Sequence, residues 1–412
     1  MTKILIAQLG ARKHYQEPAL FYQWRILDCL YTDFYFGANI PNIFSKMSSI
    51  YNWLPGLLKK ALDRHCPSLD GAKVIQFPDF AFRYRQLLKK APPQTRTQVF
   101  IWAGQEFARR IIRKGVGDVD TIYGFNGASL ELFEYAKKKG IRCILDQTLA
   151  ELSVLYKLLE EEEVAWPGWS LSPFLIQNSE KELLIREQKE QDLADHIICG
   201  SNFVKETLTI RGINEGKISV IPLGGPKDHV KMGCLKDPSS NEKRDVLKIL
   251  FAGTICLRKG IPYLLEALRQ LKARIHFICK AAGPLEISID KLSEYKDVCQ
   301  FLGTVSRAQM KTLYRWADVF ILPSICEGSA MVAYEALSEG TPVITTYNAG
   351  TTVRNGLEGF IVPIKKIEPI VKKLIHIYEM PNSLLAKSDI LNYLQVVNEE
   401  SEKKLKALML HD

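Results

Sequence analysis

Short apolar runs alternate with helix-period stretches along almost the whole chain, and this alternation constrains the fold more than any other feature. A strand-length apolar run followed by an amphipathic stretch is the repeating unit of a parallel sheet covered by helices. The runs fall into two series. The first comprises Lys3–Leu9, Thr32–Phe36, Val74–Phe77, Thr121–Tyr123, Cys143–Asp146, His196–Cys199 and Ile218–Pro222. The second comprises Leu247–Ala252, Ile275–Cys279, Val298–Leu302, Val319–Leu322, Val343–Thr346 and Gly359–Val362. Two series predict two doubly wound α/β domains. Between them, residues 223–244 carry Gly, Pro, Ser and charge without apolar period, which reads as a linker. The expected organisation is an N-terminal Rossmann-like domain over 1–225, a C-terminal one over 226–384, and a helical tail over 385–412 packing back toward the N-terminal domain. Parallel sheets take ligands outside the carboxyl ends of their strands. Two such domains are therefore expected to face a cleft.

Composition excludes several classes. No apolar stretch in the 412 residues approaches a membrane span of roughly 18 residues. The opening Met1–Leu9 run is too short for a secretory signal and reads as a buried strand. The nine cysteines form no C-x-x-C pair and are odd in number, so a zinc site or disulfide framework is not expected. They read as small buried hydrophobes in a reducing cytoplasm.

Charge is unevenly placed. Residues 51–115 hold 13 Lys/Arg and four acids, which is +9 and equals the net charge of the whole chain. Just upstream, Ile43–Leu62 mixes Phe44, Tyr51 and Trp53 with Lys59 and Lys60. Aromatic and basic residues together suit the headgroup region of an anionic membrane, so peripheral contact through residues 43–114 is expected. A set of solvated helix faces is the plain alternative. No nucleic-acid-binding pattern accompanies the charge.

Two segments carry chemistry. In the first, a strand ends near Leu322, a turn holds Glu327 and Gly328, and a helix is expected from Ser329 as N-cap to about Glu339, stopped by Gly340. The amides of residues 329–332 would be orphan donors suited to phosphate or sugar oxygens. Glu335, one to two turns inside, could accept hydroxyls such as those of a ribose. A helix with one pre-helical and one surface glutamate accounts for the same residues. In the second segment, the strand Leu250–Gly253 feeds a loop ending in Arg258-Lys259-Gly260, followed by a helix with Pro262 in its first turn. Two cations beside a helix N-terminus suit a diphosphate without a metal; a solvated basic loop is the alternative. Walker and dinucleotide fingerprints are missing. Asp118-Val-Asp120 reads as a turn and Glu160–Glu163 as a solvated face.

Glu327 and Glu335 form the E-x7-E pattern, and here the chain resembles the retaining glycosyltransferases of family 4. The resemblance extends through Phe301–Val305, Ala317–Ser324, Gly340–Ile344, Gly350–Gly356 and Gly359–Val362, and is looser in the N-terminal half. It implies the GT-B fold of two Rossmann-like domains. It also implies transfer of a sugar from a nucleotide diphosphate sugar to a saccharide or lipid-linked acceptor, in surface polysaccharide, lipopolysaccharide or glycolipid assembly. Arg258, Lys259 and Glu327 would carry the catalytic role. Gly253, Thr254, Thr304, Val305, Gly328, Ser329, Ala330, Met331 and Glu335 would bind the donor. Gly10, His14, Asn126 and Gln147 would lie on the acceptor or sugar side. No metal or other cofactor is implied. Three positions depart from the family pattern. Thr254 stands where an arginine is usual, with Arg258 as the candidate replacement. Glu327-Gly-Ser-Ala330 replaces E-G-F-G. Gln147 stands where many members have a histidine. A sugar-nucleotide epimerase, a glycoside phosphorylase or a non-catalytic nucleotide-sugar binder are alternatives on the same fold.

Overall fold

The computed structural model describes residues 2–37, 64–225, 245–381 and 383–410. Phe44, Tyr51, Trp53, Lys59 and Lys60 of the expected membrane segment, and most of the expected linker, lie outside these residues. The chain forms two compact units that are not contiguous in sequence. The first is Met1–Gln147, Ile176–Ile198 and Ile213–Ser219; the second is Thr148–Leu175, Cys199–Gly212 and Val220–Asp412.

The strands of the first sheet are β1 (Ile4–Gln8), β2 (Leu27–Thr32), β3 (Val74–Gln76), β4 (Thr121–Phe125), β5 (Arg142–Gln147), β6 (His196–Cys199) and β7 (Ile218–Val220). Those of the second are β8 (Leu247–Ala252), β9 (Phe277–Ala282), β10 (Gln300–Gly303), β11 (Val319–Leu322), β12 (Val343–Thr346) and β13 (Gly359–Val362). The α-helices in chain order are α1 (Gln16–Gln23), α2 (Pro78–Lys90), α3 (Arg96–Lys114), α4 (Leu130–Lys138), α5 (Leu152–Ala165), α6 (Asn178–Leu193), α7 (Asn202–Ile210), α8 (Ile261–Leu271), α9 (Ile289–Ser293), α10 (Arg307–Trp316), α11 (Met331–Ser338), α12 (Glu368–Glu379) and α13 (Lys387–Leu410).

The first sheet runs β3-β2-β1-β4-β5-β6-β7 and the second β10-β9-β8-β11-β12-β13. The strand pairings in both are parallel. Strand order therefore reverses between β1 and β4 in one unit and between β8 and β11 in the other. A crevice opens outside the carboxyl ends at such a reversal, because the flanking connections leave to opposite faces. Strands covered on both faces must be apolar throughout. β1, β4 and β11 are indeed buried at every residue. The core of the second unit gathers β8, β11 and β12 with α8, whose Leu264, Leu265, Leu268 and Leu271 have no exposure.

Four features differ from the sequence reading. β2 is Leu27–Thr32 rather than Thr32–Phe36. Asp28 breaks the apolar pattern, yet ladders with β1 and β3 hold this segment extended. The aromatic run after it is a loop, pinned where the Tyr35 amide donates to Gln76 (2.9 Å) and its hydroxyl to the Cys66 carbonyl (2.9 Å). β9 and β10 lie slightly downstream of the expected runs, because Lys280 stays in the ladder ahead of buried Ala281 and Ala282. The acidic run is a solvated face only at Glu160 and Glu161, which are exposed. Glu162 is fully buried, accepting from Tyr263 (3.1 Å) and pairing with Lys365 (3.1 Å), while Glu163 accepts from Ser170 and the Phe174 amide. The tail helix α13 groups with the second unit and packs on α11.

Candidate functional site

In the second unit, the loop after β8 and the loop after β11 are stitched together at the strand-order reversal. The Ile325 amide donates to the Arg258 carbonyl (2.8 Å), and Arg258 Nη1 donates to the Cys326 carbonyl (3.0 Å). Gly260, at φ +70°, ends the first loop; a Cβ there would collide with the Pro323 carbonyl. A side chain would thus be excluded by both space and backbone conformation. Ile261 and Pro262 then open α8 without needing the missing Pro amide.

This stitching brings both cations onto one carboxylate. Arg258 Nη1 and Lys259 Nζ each lie 2.6 Å from Glu327 Oε1. Lys259 and Glu327 are buried. Burial alone would push the Glu327 carboxyl up, but Arg258 and then Lys259 outweigh it and hold it below the usual carboxylate range. Burial likewise opposes the Arg258 charge, and Glu327 more than restores it. One buried and one half-buried cation against one carboxylate leave an excess positive charge, which favours a further anion. Gly253 lies beneath this cluster, and a Cβ there would sit 3.8 Å from Lys259 Nζ. Thr254 follows it, partly exposed.

The turn after Glu327 is set by close packing within the same unit. A Cβ on Gly328 would collide with the Thr148 carbonyl, so only glycine fits. Ser201, the N-cap of α7, donates to the Gly328 carbonyl (2.6 Å). The Glu327 amide donates to the Asn348 carbonyl (2.9 Å). The orphan-donor expectation needs correction at one position, because the Ala330 amide donates to the Ala349 carbonyl (3.1 Å). Backbone groups seek any available acceptor, and the loop after β12 supplies one. Gly328 and Ser329 amides have no partner among the described residues. The N-cap of α11 is Ala330 rather than Ser329, with no side-chain cap, so the first amides of the helix from Met331 stay open. Glu335 in α11 accepts from the Tyr314 hydroxyl (2.9 Å). Thr304 and Val305 follow β10 on the way into α10.

The sequence-predicted residues of the first unit gather at its own reversal. Gly10 follows β1 and donates its amide to Asp33 (3.0 Å). Lys13, His14 and Tyr15 form a left-handed turn with φ of 47°, 51° and 63°, costing roughly 1–2 kcal/mol per residue. Lys13 anchors it from below, at 2.6 Å from Asp146 and 2.8 Å from Glu17, while His14 is exposed. Asn126 and Gln147, at the ends of β4 and β5, both donate to Glu187 Oε1 at 2.9 Å. Gln147 is fully buried and also accepts from Gln191 (3.2 Å).

Glu187 and Glu190 escaped the sequence reading. Glu190 accepts from the amides of Gly127 (2.6 Å), Ser129 (2.8 Å) and Leu130 (3.0 Å), filling the N-terminus of α4. Burial pushes its carboxyl up to about 7 despite these bonds. The i, i+3 spacing of the two glutamates was the available signal, but α6 is charged on all sides and has no apolar stripe to orient it.

Within the described part of the basic window, most of the cations lie on α2 and α3. Phe82 is 65% exposed and Phe100 42% exposed, beside exposed Arg83, Arg85, Lys89, Lys90 and Arg96. Asp118 and Asp120, in the bends before β4, accept from the Lys3 side chain and amide respectively. No helix among the described residues is long and apolar enough to cross a membrane.

Comparison with known proteins matches a stretch of sequence within the second unit. Residues 235–389 match the family model described as glycosyl transferases group 1. An uncharacterised glycosyltransferase of Methanocaldococcus jannaschii is 35% identical over 169 residues, covering 37% of this chain and 42% of that protein. The chain spans less than half the length of this and three other relatives it matches. A lipopolysaccharide outer core galactosyltransferase superposes with a TM-score of 0.61 at 13% identity, covering 100% of this chain and 99% of its own. The Anabaena protein HepE in complex with UDP and glucose superposes with a TM-score of 0.56 at 12% identity, covering 100% of both chains. Residues 235–389 thus carry the group 1 glycosyl transferase signature, within a chain that has the GT-B fold of solved glycosyltransferases.

Proposed function

We propose that the protein transfers a sugar from a nucleotide diphosphate sugar to an acceptor hydroxyl, with retention at the anomeric carbon and no metal. The observation that carries this reading is the convergence of Arg258 and Lys259 on Glu327 beside the open amides of Gly328 and Ser329. A departing diphosphate develops negative charge, and preorganised cations and amides aimed at that charge lower the barrier because they need not reorganise. Arg258 supplies the second cation that Thr254 does not. Glu327 holds both cations in place and accepts hydroxyls of the transferred sugar once phosphate oxygens share the cations. Glu335 accepts the ribose hydroxyls, and Thr304 with Val305 flanks the base. UDP and glucose in the HepE complex are consistent with this donor class. Retention rests on the E-x7-E resemblance. The acceptor attacks from the face the diphosphate leaves, and a leaving oxygen takes its proton.

Thermal denaturation against UDP, GDP and ADP and their sugar conjugates tests the donor assignment. A ligand at about 100 times its dissociation constant adds ~2.7 kcal/mol of stability. One nucleotide should raise the midpoint selectively; no response to any of them rejects a donor site.

The acceptor is a saccharide or lipid-linked saccharide approached at an anionic membrane. The exposed Phe82 and Phe100 among cations on α2 and α3 support this part. Replacing Arg83, Arg85, Lys89 and Lys90 together by Glu should abolish co-sedimentation with phosphatidylglycerol vesicles at low salt, with donor binding unchanged. Equal vesicle binding by both proteins returns the charge to a solvated surface.

A further inference from the structure

Helices α10 and α11 lie side by side and carry three acid–partner contacts between them. Lys311 (3.5 Å) and Arg315 (2.6 Å) both go to Glu339. Glu335, one turn earlier on α11, receives no cation among the described residues and takes only the Tyr314 hydroxyl at 2.9 Å, on Oε2. The two glutamates thus have different neighbours although they lie one turn apart, Glu335 inside α11 and Glu339 at its C-cap. Glu339 is neutralised in place. Glu335 keeps one oxygen without a partner among the described residues, which is what a carboxylate needs to accept hydrogen bonds from a vicinal diol.

Tyr314 is itself held at three points. Its ring is 3% exposed and packs edge-on against Phe320 of β11, with centroids 5.7 Å apart. Its carbonyl accepts from Thr341 (2.7 Å). Its hydroxyl reaches Glu335. Burial, with Glu335 adding to it, moves the phenol's titration upward, so it remains a donor. Tyr314 also stands on the helix whose N-cap, Ser306, directly follows Thr304 and Val305.

We propose that Tyr314 is a positioning residue for nucleotide recognition: its hydroxyl occupies one oxygen of Glu335 and aims the other at the ribose hydroxyls. The proposal rests on the nucleotide-donor reading above. A long flexible carboxylate binds a diol well only if its rotamer is fixed beforehand, since otherwise the ordering cost is taken from the binding energy. The bond is made equally in ground and transition states, so it acts on donor affinity rather than on the chemical step.

The test measures binding of UDP, GDP and ADP, and of their 2′,3′-dideoxy forms, to wild-type protein and to Tyr314→Phe. Wild type should prefer the ribose form. Tyr314→Phe should weaken that nucleotide about tenfold, the size of one hydrogen bond to a charged group. It should leave the dideoxy form unaffected, so the preference for ribose collapses. With a sugar donor, KM should rise about tenfold while kcat changes less than twofold. Glu335→Gln gives a second approach that leaves Tyr314 in place. It should also collapse the ribose preference, and the double variant should lose no more than either single one. If Tyr314→Phe, or Glu335→Gln where Tyr314→Phe does not fold, keeps the full ribose preference, the proposal is overturned. If wild type binds none of the three nucleotides, the donor reading itself fails, a result distinct from equal ribose preference in variant and wild type.

Discussion

The two units are built to the same plan at their strand-order reversals, and their charges are inverted. In the first unit, one cation, Lys13, lies between two carboxylates, Asp146 and Glu17. In the second, one carboxylate, Glu327, lies between two cations, Arg258 and Lys259. The helices that follow differ in the same sense. The N-terminus of α4 is filled by Glu190, a carboxylate of the chain itself. The turn before α11 leaves the amides of Gly328 and Ser329 open. A helix N-terminus attracts an anion wherever it occurs in a parallel sheet. Whether it can take one from solution depends on whether the protein has already supplied one. The first unit has done so, and the second has not. This favours the second unit for the proposed diphosphate site more firmly than sheet topology does, which is alike in both.

The largest expected effect tests the second unit. Lys259→Ala should lower turnover about a hundredfold, as loss of one preorganised contact worth ~3 kcal/mol does. Steady-state transfer assays on folded variant check this, and near wild-type turnover breaks the comparison on the donor side.

Next comes Glu190. Its folded carboxyl titrates near 7, above the usual unfolded value of about 4.5. A raised folded value means that stability is fully present below the unfolded value and is lost as pH rises toward 7. The loss is on the order of 2 kcal/mol across that window. Glu190→Gln should flatten this slope in denaturant titrations from pH 4.5 to 8 and leave nucleotide affinity unchanged. A change in nucleotide affinity would mean that the first unit shares the donor site.

Glu327 has the opposite sign. Its folded carboxyl titrates below the ordinary value, so its contribution is present above the unfolded value and is lost as pH falls through the folded one. Inorganic pyrophosphate should raise the melting midpoint of the wild type at pH 7. The gain should shrink in Lys259→Ala and be unaffected by Glu190→Gln. Equal gains in all three would place the anion elsewhere.

The smallest expected effect concerns Arg258, which is more exposed than Lys259. Arg258→Ala should weaken nucleoside diphosphate binding about tenfold, a loss of ~1.4 kcal/mol. Unaltered affinity would show that nothing replaces the arginine missing at Thr254.

The division between what was readable and what was not follows the range of the interactions. Alternating apolar runs predicted two parallel sheets, because covered strands must be apolar and the helices between them amphipathic. β11, β12 and β13 fall where the pattern placed them. Arg258, Lys259, Glu327 and Glu335 were visible because each sits at a short fixed spacing from a strand end or a helix start. β2 was misplaced because its single charged residue is tolerated by ladders on both sides, which no local pattern records. The partners that give the sites their character come from elsewhere in the chain. Glu190 reaches Gly127 across 63 residues, Tyr314 reaches Glu335 across 21, and Glu162 is buried by Tyr263 101 residues away. The sequence by itself determined the class of fold and the cations and glutamates around the loops after β8 and β11, through spacings that local geometry enforces. Only the tertiary structure decided which helix N-terminus is already filled and which glutamate keeps a free oxygen. Those outcomes depend on which distant polar group reaches a buried site, where an unmatched donor or charge is costly.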